Sequence, residues 1–143
     1  EHFPNGAVYC GQYANGRREG VGEYRWPDGS EYAGQWKDNH MSGFGRYLGG
    51  DGREFRGMWV ASQIHGRGRY VWQDGRAFCG CYSRGEKHGF GVFRWQDGRM
   101  FAGHWDSGKQ HGHGKLYAAN GALLKEGIWC DGQLFESESD YTL

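Results

Sequence analysis

Branched aliphatic residues are scarce in this chain. Its 143 residues include only six leucines and two isoleucines, and the mean hydropathy is −0.88. Layered folds bury one face of each helix or sheet against another element, mostly through such residues. A two-layer fold with a core rich in Leu, Ile and Val is therefore not expected. No stretch of the sequence has the apolar periodicity of a helix.

Net charge, long apolar runs and a cysteine framework are lacking as well. The 17 acidic residues balance the 17 basic ones, so no broad field attracts nucleic acid. No run approaches the roughly 18 apolar residues of a membrane span. The spacing of Cys10, Cys79, Cys81 and Cys130 does not suggest disulfides. Reduced thiols are typical of intracellular proteins, so we expect a cytoplasmic protein without a nucleic-acid partner.

Glycine and aromatic residues are abundant instead. The chain has 28 glycines, seven tryptophans, nine tyrosines and eight phenylalanines, whereas glycine averages about 7% of protein sequences. Glycine leaves a flat patch of backbone, and aromatic rings need surfaces on which to pack. The composition therefore predicts a thin core made of rings.

These residues recur with a period of 23. One aromatic column runs through Tyr9, Tyr32, Phe55, Phe78 and Phe101. Six further columns, which are glycine or largely aromatic, start at Gly11, Tyr13, Gly20, Gly22, Tyr24 and Gly29. All seven columns hold over five copies without a gap, and such a fixed period is typical of a repeat array.

The period also predicts how the chain is divided. We predict repeats at 9–31, 32–54, 55–77, 78–100 and 101–124, the end of a preceding repeat in 1–8, a partial repeat or cap in 125–135 and an acidic tail in 136–143. Because the half copy in 1–8 means that the chain starts in the middle of a repeat, we expect a piece of a longer array. The tail is predicted to be disordered. Its last three residues, Tyr141-Thr142-Leu143, are interpreted as a frayed end rather than as a recognition motif.

Each copy alternates with the period of two that β-strands have. The sequence therefore predicts an all-β fold, a single-layer antiparallel meander of tandem β-hairpins that is elongated and twisted. One face should carry rings lying on glycines, and the other mixed polar residues. Asp-Gly pairs predict tight hairpin turns, and segments such as 85–89 longer loops. Ser62, in a column that is mostly glycine, predicts a different loop in the third copy, and Gly49 replaces a tryptophan and leaves a notch.

The second copy carries the clearest family pattern. Its sequence Tyr32-Ala33-Gly34-Gln35-Trp36-Lys37-Asp38, followed by Gly43-Phe44-Gly45 and Asp51-Gly52, resembles the MORN (membrane occupation and recognition nexus) repeat. The resemblance extends from about Phe3 to Phe135. It implies a repeat module that is not catalytic. The family includes cytoskeletal scaffolds, membrane-contact proteins, adaptors that hold a peptide in the groove of the sheet, and proteins linked to phospholipid head groups.

Large exposed aromatic surfaces mark interaction sites. We therefore expect a scaffold or adaptor that binds a protein partner, as an extended peptide or a helix, along an aromatic groove, in a complex associated with a membrane or the cytoskeleton. The predicted groove residues are Trp26, Trp36, Tyr47, Trp59, Tyr70, Trp72, Trp95 and Trp105.

Two alternatives involve other partners. Basic residues near one long edge, Arg17, Arg18, Lys87 and Lys109, could contact anionic phospholipid head groups. Acidic residues interleave with them, which weakens this hypothesis. Open sheet edges invite pairing, so a homodimer is the other alternative, with residues 125–135 as its interface.

Catalysis, cofactors and metal ions are not expected. No nucleophile–base or paired-carboxylate arrangement stands out in the sequence. His65, His88 and His111 share a column and would stand about 9.6 Å apart at the usual strand spacing, too far to ligate one zinc ion. Cys79 and Cys81 flank Gly80 on one face, and we interpret this pair as structural.

Overall fold

The computed structural model describes residues 1–137, which form strands and turns without a helix. None of these residues therefore belongs to a helix long and apolar enough to cross a membrane. The strands are β1 (Val8–Ala14), β2 (Arg17–Arg25), β3 (Glu31–Lys37), β4 (His40–Leu48), β5 (Glu54–Val60), β6 (Gln63–Val71), β7 (Ala77–Ser83), β8 (Glu86–Arg94), β9 (Met100–Asp106), β10 (Lys109–Tyr117), β11 (Leu123–Cys130) and β12 (Gln133–Ser137).

All strands lie in one antiparallel sheet, and their order in the sheet is their order in the chain. Each strand pairs only with its neighbours, so the described residues form a single-layer meander. This confirms the predicted fold class. The end residues 138–143, which include the predicted Tyr141-Thr142-Leu143 end, lie outside the described part of the chain.

A line of paired glycines crosses the middle of the sheet. Gly34 of β3 faces Gly22 on one side and Gly45 on the other, and Gly45 in turn faces Gly57. The same pairing continues through β11, where Gly127 faces Gly114. We call this line the glycine spine. It gives the rings of one face, the front face, a floor without side chains.

Rings of the aromatic column at Tyr9 lie on this floor and are at most 1% exposed. Tyr32 is typical: its ring contacts Trp36 and Trp59 edge to face, with centroid distances of 5.2 and 5.3 Å. Phe78 repeats the arrangement with Tyr82 and Trp105, at 5.4 and 5.2 Å. Edge-to-face contacts are favourable because the positive edge of one ring meets the negative face of another. The predicted aromatic core is thereby confirmed.

Within each hairpin the turn has two residues, both with positive φ, as in Arg84-Gly85 with 50° and 82°. A type I′ turn requires this conformation. The prediction of a longer loop at 85–89 is wrong, because β8 already begins at Glu86. The prediction that Ser62 alters the loop is also wrong. Ser62 has φ of 66°, and its N–H donates to the oxygen of Met41 as the N–H of Gly85 does to that of Ile64.

The Asp-Gly pairs between repeats, such as Asp28-Gly29, lie in longer connections between hairpins, which corrects the prediction of tight turns there; only Asp131-Gly132, between β11 and β12, forms a two-residue turn among the described residues. After β2, Trp26 N donates to Ser30 O at 2.9 Å, and Gly29 N donates to Trp26 O at 3.1 Å. The Asp28 carboxylate accepts hydrogen bonds from the Ser30 hydroxyl at 2.6 Å and from Ser30 N at 2.9 Å. The hydroxyl bond first, and then the backbone bond, lower the pKa of Asp28. The Asp stabilises this five-residue connection instead of starting a two-residue turn.

The turn at Ala61 offers a stabilising substitution. Ala61 has φ of 49°, and an L-residue other than Asn, Asp or Gly adopts this region at a cost of about 1 kcal/mol. Ala61→Asn is expected to raise the free energy of unfolding by roughly 0.5–1 kcal/mol, measured by urea denaturation. The matched control, Gln63→Asn in β6, changes an exposed strand residue and should give no gain. Equal effects of the two substitutions would contradict the assigned turn.

Candidate functional site

Three of the predicted groove residues are core residues. Trp36, Trp59 and Trp105 are only 6–7% exposed. Their indole N–H groups donate to the carbonyl oxygens of glycines fourteen residues earlier, at 3.0, 3.1 and 3.2 Å. These side chains cover the fully buried rings and offer little surface to a partner.

The other predicted groove residues lie half-buried at the surface of the front face. Together with two aromatic residues that sequence analysis did not single out, they form what we call the outer row. Its members are Tyr24, Trp26, Tyr47, Tyr70, Trp72, Phe93 and Trp95. Rings in this row pack in tilted pairs within a repeat, as Tyr70 and Trp72 do with 4.4 Å between ring centroids, and between repeats, as Trp72 and Phe93 do at 5.9 Å.

An open groove runs beside the outer row. Its first part is a cavity of ≈ 420 Å³ that adjoins Trp26, Tyr47 and Tyr70. A second cavity of ≈ 410 Å³ adjoins Trp72 and Lys87. Arg53, Ile64 and Tyr70 line both cavities, so the two parts form one groove.

Three long side chains of one column, Met41, Ile64 and Lys87, line this groove. The sequence analysis named Lys87 only as a basic residue and did not identify the column, which also contains Arg18 and Gln110. The Lys87 amine lies 5.2 Å from the ring centre of Phe78 and 5.6 Å from that of Trp72. Burial lowers the pKa of Lys87, and the nearby charge of Arg76 lowers it further. Among residues 1–134, whose side chains the structure describes, no carboxylate forms a salt bridge with this amine.

The residues predicted for lipid contact are not gathered in one cluster. The Arg18 guanidinium lies 5.0 Å from the ring centre of Trp36, in the position that Lys87 occupies three repeats later. Arg17 is exposed and pairs with Asp38 at 3.4 Å. Lys109 is in the same column as Arg17 but four repeats away, a separation of roughly 38 Å at the usual strand spacing.

The opposite, back face is less polar than predicted. Phe44, Met58 and Phe90 are exposed there and line a cavity of ≈ 550 Å³. Cys79 and Cys81 also line this cavity, and both are free thiols. The period-two pattern assigned these residues to the correct face but did not indicate that the apolar ones lie together.

The histidines of one column have different surroundings. His111, Cys130 and Asp131 place potential ligand atoms within 4.8 Å of one another, and all three are exposed. In the preceding repeat the equivalent histidine, His88, lies 3.4 Å from Asp106, which occupies the position of Cys130. Asp131 is a turn residue of the last hairpin, and three exposed side chains of this kind do not by themselves indicate a metal ion.

Comparison with known proteins supports the repeat assignment. A family model described as MORN repeat matches residues 9–31, 32–52, 55–75, 78–98 and 101–123. None of the curated proteins with which the chain was compared matches it. Among solved structures, the wild-type TCP10 domain of Danio rerio CPAP is 14% identical over 90% of this chain, with a TM-score of 0.25. This chain spans 65% of the length of that domain, and so weak a likeness carries no argument about function.

Proposed function

Because the chain belongs to the MORN repeat family, we propose that it is a non-catalytic scaffold whose front face holds a segment of a protein partner. The segment would be an extended peptide or a helix lying along the outer row. The observation that carries this proposal is the half-exposed aromatic row with an open groove beside it. A single-layer sheet has no second layer to cover these rings.

The chemistry of the groove indicates what the partner would present. Aromatic residues dominate the binding energy of protein interfaces, and the outer row supplies them on a rigid sheet. Lys87 is half-buried among rings, where desolvation disfavours its charge. A carboxylate of the partner placed near this amine would offset that cost. We therefore expect a partner segment that combines apolar side chains with an acidic one.

The alternatives have less geometric support. Each basic residue contributes only about 1 kcal/mol to binding at an anionic membrane surface, so binding to phospholipid head groups requires several basic residues close together. Arg18 and Lys87 are separated by three repeats. For a homodimer, β12 is an edge strand of the described sheet, and no other described strand pairs with its outer side. No side-chain contact favours that interface over the aromatic groove.

Trp72→Ala tests the proposed site. Peptides would be selected from a random-peptide display library on the wild-type chain, and their affinities measured by isothermal titration calorimetry. Trp72 lies between Tyr70 and Phe93 and is half-buried, so we expect its removal to cost about 2 kcal/mol of binding, roughly a thirtyfold loss of affinity. Circular dichroism would verify that the sheet is retained.

The matched control is Phe90→Ala, which removes an exposed ring from the back face. This control should leave the affinities unchanged. If the selected peptides lose affinity for Phe90→Ala and keep it for Trp72→Ala, the front face is not the binding site and the proposal is wrong.

A further inference from the structure

One position of the outer row differs between repeats in a way that shapes the groove. Three repeats carry a tryptophan just after their second strand, at Trp26, Trp72 and Trp95, whereas the second repeat has Gly49. We propose that the space beside Gly49 is a binding site for one aromatic side chain of the partner. This inference rests on the proposed function and specifies which side chain the groove recognises.

Backbone geometry at Gly49 is that of the tryptophan-bearing copies. Gly49 N donates to Arg53 O at 2.7 Å, and Gly52 N donates to Gly49 O at 3.0 Å. The corresponding bonds at Trp72 measure 2.9 and 3.1 Å. The second repeat therefore keeps the connection and lacks only the ring. The fifth repeat has Ala118 at this position, at the end of the row.

The neighbours define where the missing ring would stand. Trp26 packs on Tyr24 of its own repeat at 4.7 Å and on Tyr47 of the next repeat at 6.0 Å. A ring at position 49 would by the same geometry stand between Tyr47 and Tyr70. Both tyrosines are half-buried and line the cavity of ≈ 420 Å³. A guest ring there would have an aromatic neighbour on each side.

A cation is already in place for this guest. Arg76 lies 5.1 Å from the ring centre of Trp72 and is held by Asp74 at 2.8 Å. Arg99 is placed in the same way over Trp95, at 5.5 Å.

Arg53 is the counterpart of these arginines in the second repeat. It is held by Asp51 at 2.9 Å. Without a tryptophan at position 49, its Nε lies 3.5 Å from where a Cβ of residue 49 would stand, and Gly49 itself is buried. A fixed guanidinium attracts the face of an aromatic ring. The site therefore favours an aromatic guest over an aliphatic one of similar size.

Filling the site from within the chain provides the test. Gly49→Trp would place the chain's own ring between the two tyrosines, in a connection that has tryptophan in three other repeats. Its Cβ would stand 2.8 Å from Asp51 Oδ1, so the Asp51 side chain has to shift to accept it. N-acetyl-tryptophanamide serves as a minimal guest, and N-acetyl-leucinamide as the aliphatic control. Binding would be followed by the amide shifts of Gly49, Arg53 and Tyr70 in NMR spectra of the full chain.

We expect the tryptophan probe to shift these amides in the wild type, the leucine probe to shift them much less, and neither to shift them in Gly49→Trp. Ala118→Trp adds the same ring elsewhere in the row and should bind the probe as the wild type does. A second variant, Tyr70→Leu, keeps an apolar side chain but loses one of the two flanking rings, and it should bind the tryptophan probe more weakly. Shifts that are absent in the wild type, or that persist unchanged in Gly49→Trp, would overturn the inference.

The display-selected peptides separate this inference from the proposed function. We expect them to share an aromatic residue, to lose roughly tenfold or more in affinity for Gly49→Trp, and to bind Ala118→Trp normally. Peptides that depend on Trp72 but bind Gly49→Trp as tightly as the wild type would overturn the aromatic site and leave the scaffold function standing. Peptides that are insensitive to both Trp72→Ala and Gly49→Trp would overturn the scaffold function itself.

Discussion

Gly45→Ala is expected to destabilise the protein by about 3 kcal/mol, although it adds a single methyl group. The new Cβ would overlap the ring of Tyr32, which lies directly on Gly45. The ring cannot move away, because Trp36 and Trp59 contact it edge to face. The backbone cannot yield either, because β4 is paired on both sides. Urea denaturation of the wild type and the variant measures the difference.

A neighbouring residue gives the control for this substitution. Phe44 precedes Gly45 in β4 and points to the back face, where it is 56% exposed. Phe44→Ala is expected to change the free energy of unfolding by about 0.5 kcal/mol or less, although it removes a whole ring. If Phe44→Ala destabilised the protein more than Gly45→Ala, the glycine spine would not be the floor of the core.

Alternation and periodicity were sufficient to predict this floor. In a strand, residues two apart share a face, so Tyr32, Gly34 and Trp36 had to lie together. The 23-residue spacing then carried the arrangement from repeat to repeat. A single-layer meander followed, because no other element of the sequence could cover the rings.

Turn geometry could not be predicted in the same way. Arg84 and Ala61 adopt positive φ, although neither residue favours that conformation. The type I′ turn is imposed by the pairing of the flanking strands, which local sequence does not reveal. Asp-Gly is a general hairpin signal, but here the Asp28 carboxylate accepts from Ser30 N inside a longer connection.

The candidate site was predicted only in part, because the sequence does not reveal how deeply each ring is buried. Trp36 and Trp72 have similar local sequences, with alternating small and aromatic neighbours. Trp36 is buried because it stands over the glycine spine between Tyr9 and Tyr32, rings of successive repeats. Trp72 lies beyond the end of β6 and is covered on fewer sides. Sequence columns give the face of a ring but not its depth, so the predicted groove mixed core and surface residues.

Depth in the core also sets the size of the second large effect. Phe78→Ala is expected to destabilise the protein by about 4 kcal/mol. Phe78 is fully buried, and its ring contacts Tyr82 of its own repeat and Trp105 of the next. Its loss would leave a cavity between these rings. Each repeat contacts only its neighbours, so the contact between the fourth and fifth repeats would weaken most.

Urea denaturation, followed by both tryptophan fluorescence and circular dichroism, measures this effect. If the unfolding transitions seen by the two probes no longer coincide, the halves of the array unfold separately. The control is Tyr32→Phe, which keeps the ring and removes the hydroxyl that donates to Gln35 O at 2.8 Å. Its expected cost is about 1 kcal/mol, since phenylalanine occupies this column in three other repeats. A Phe78→Ala variant as stable as Tyr32→Phe would mean that the edge-to-face ring contacts of the core are not the principal source of stability between repeats.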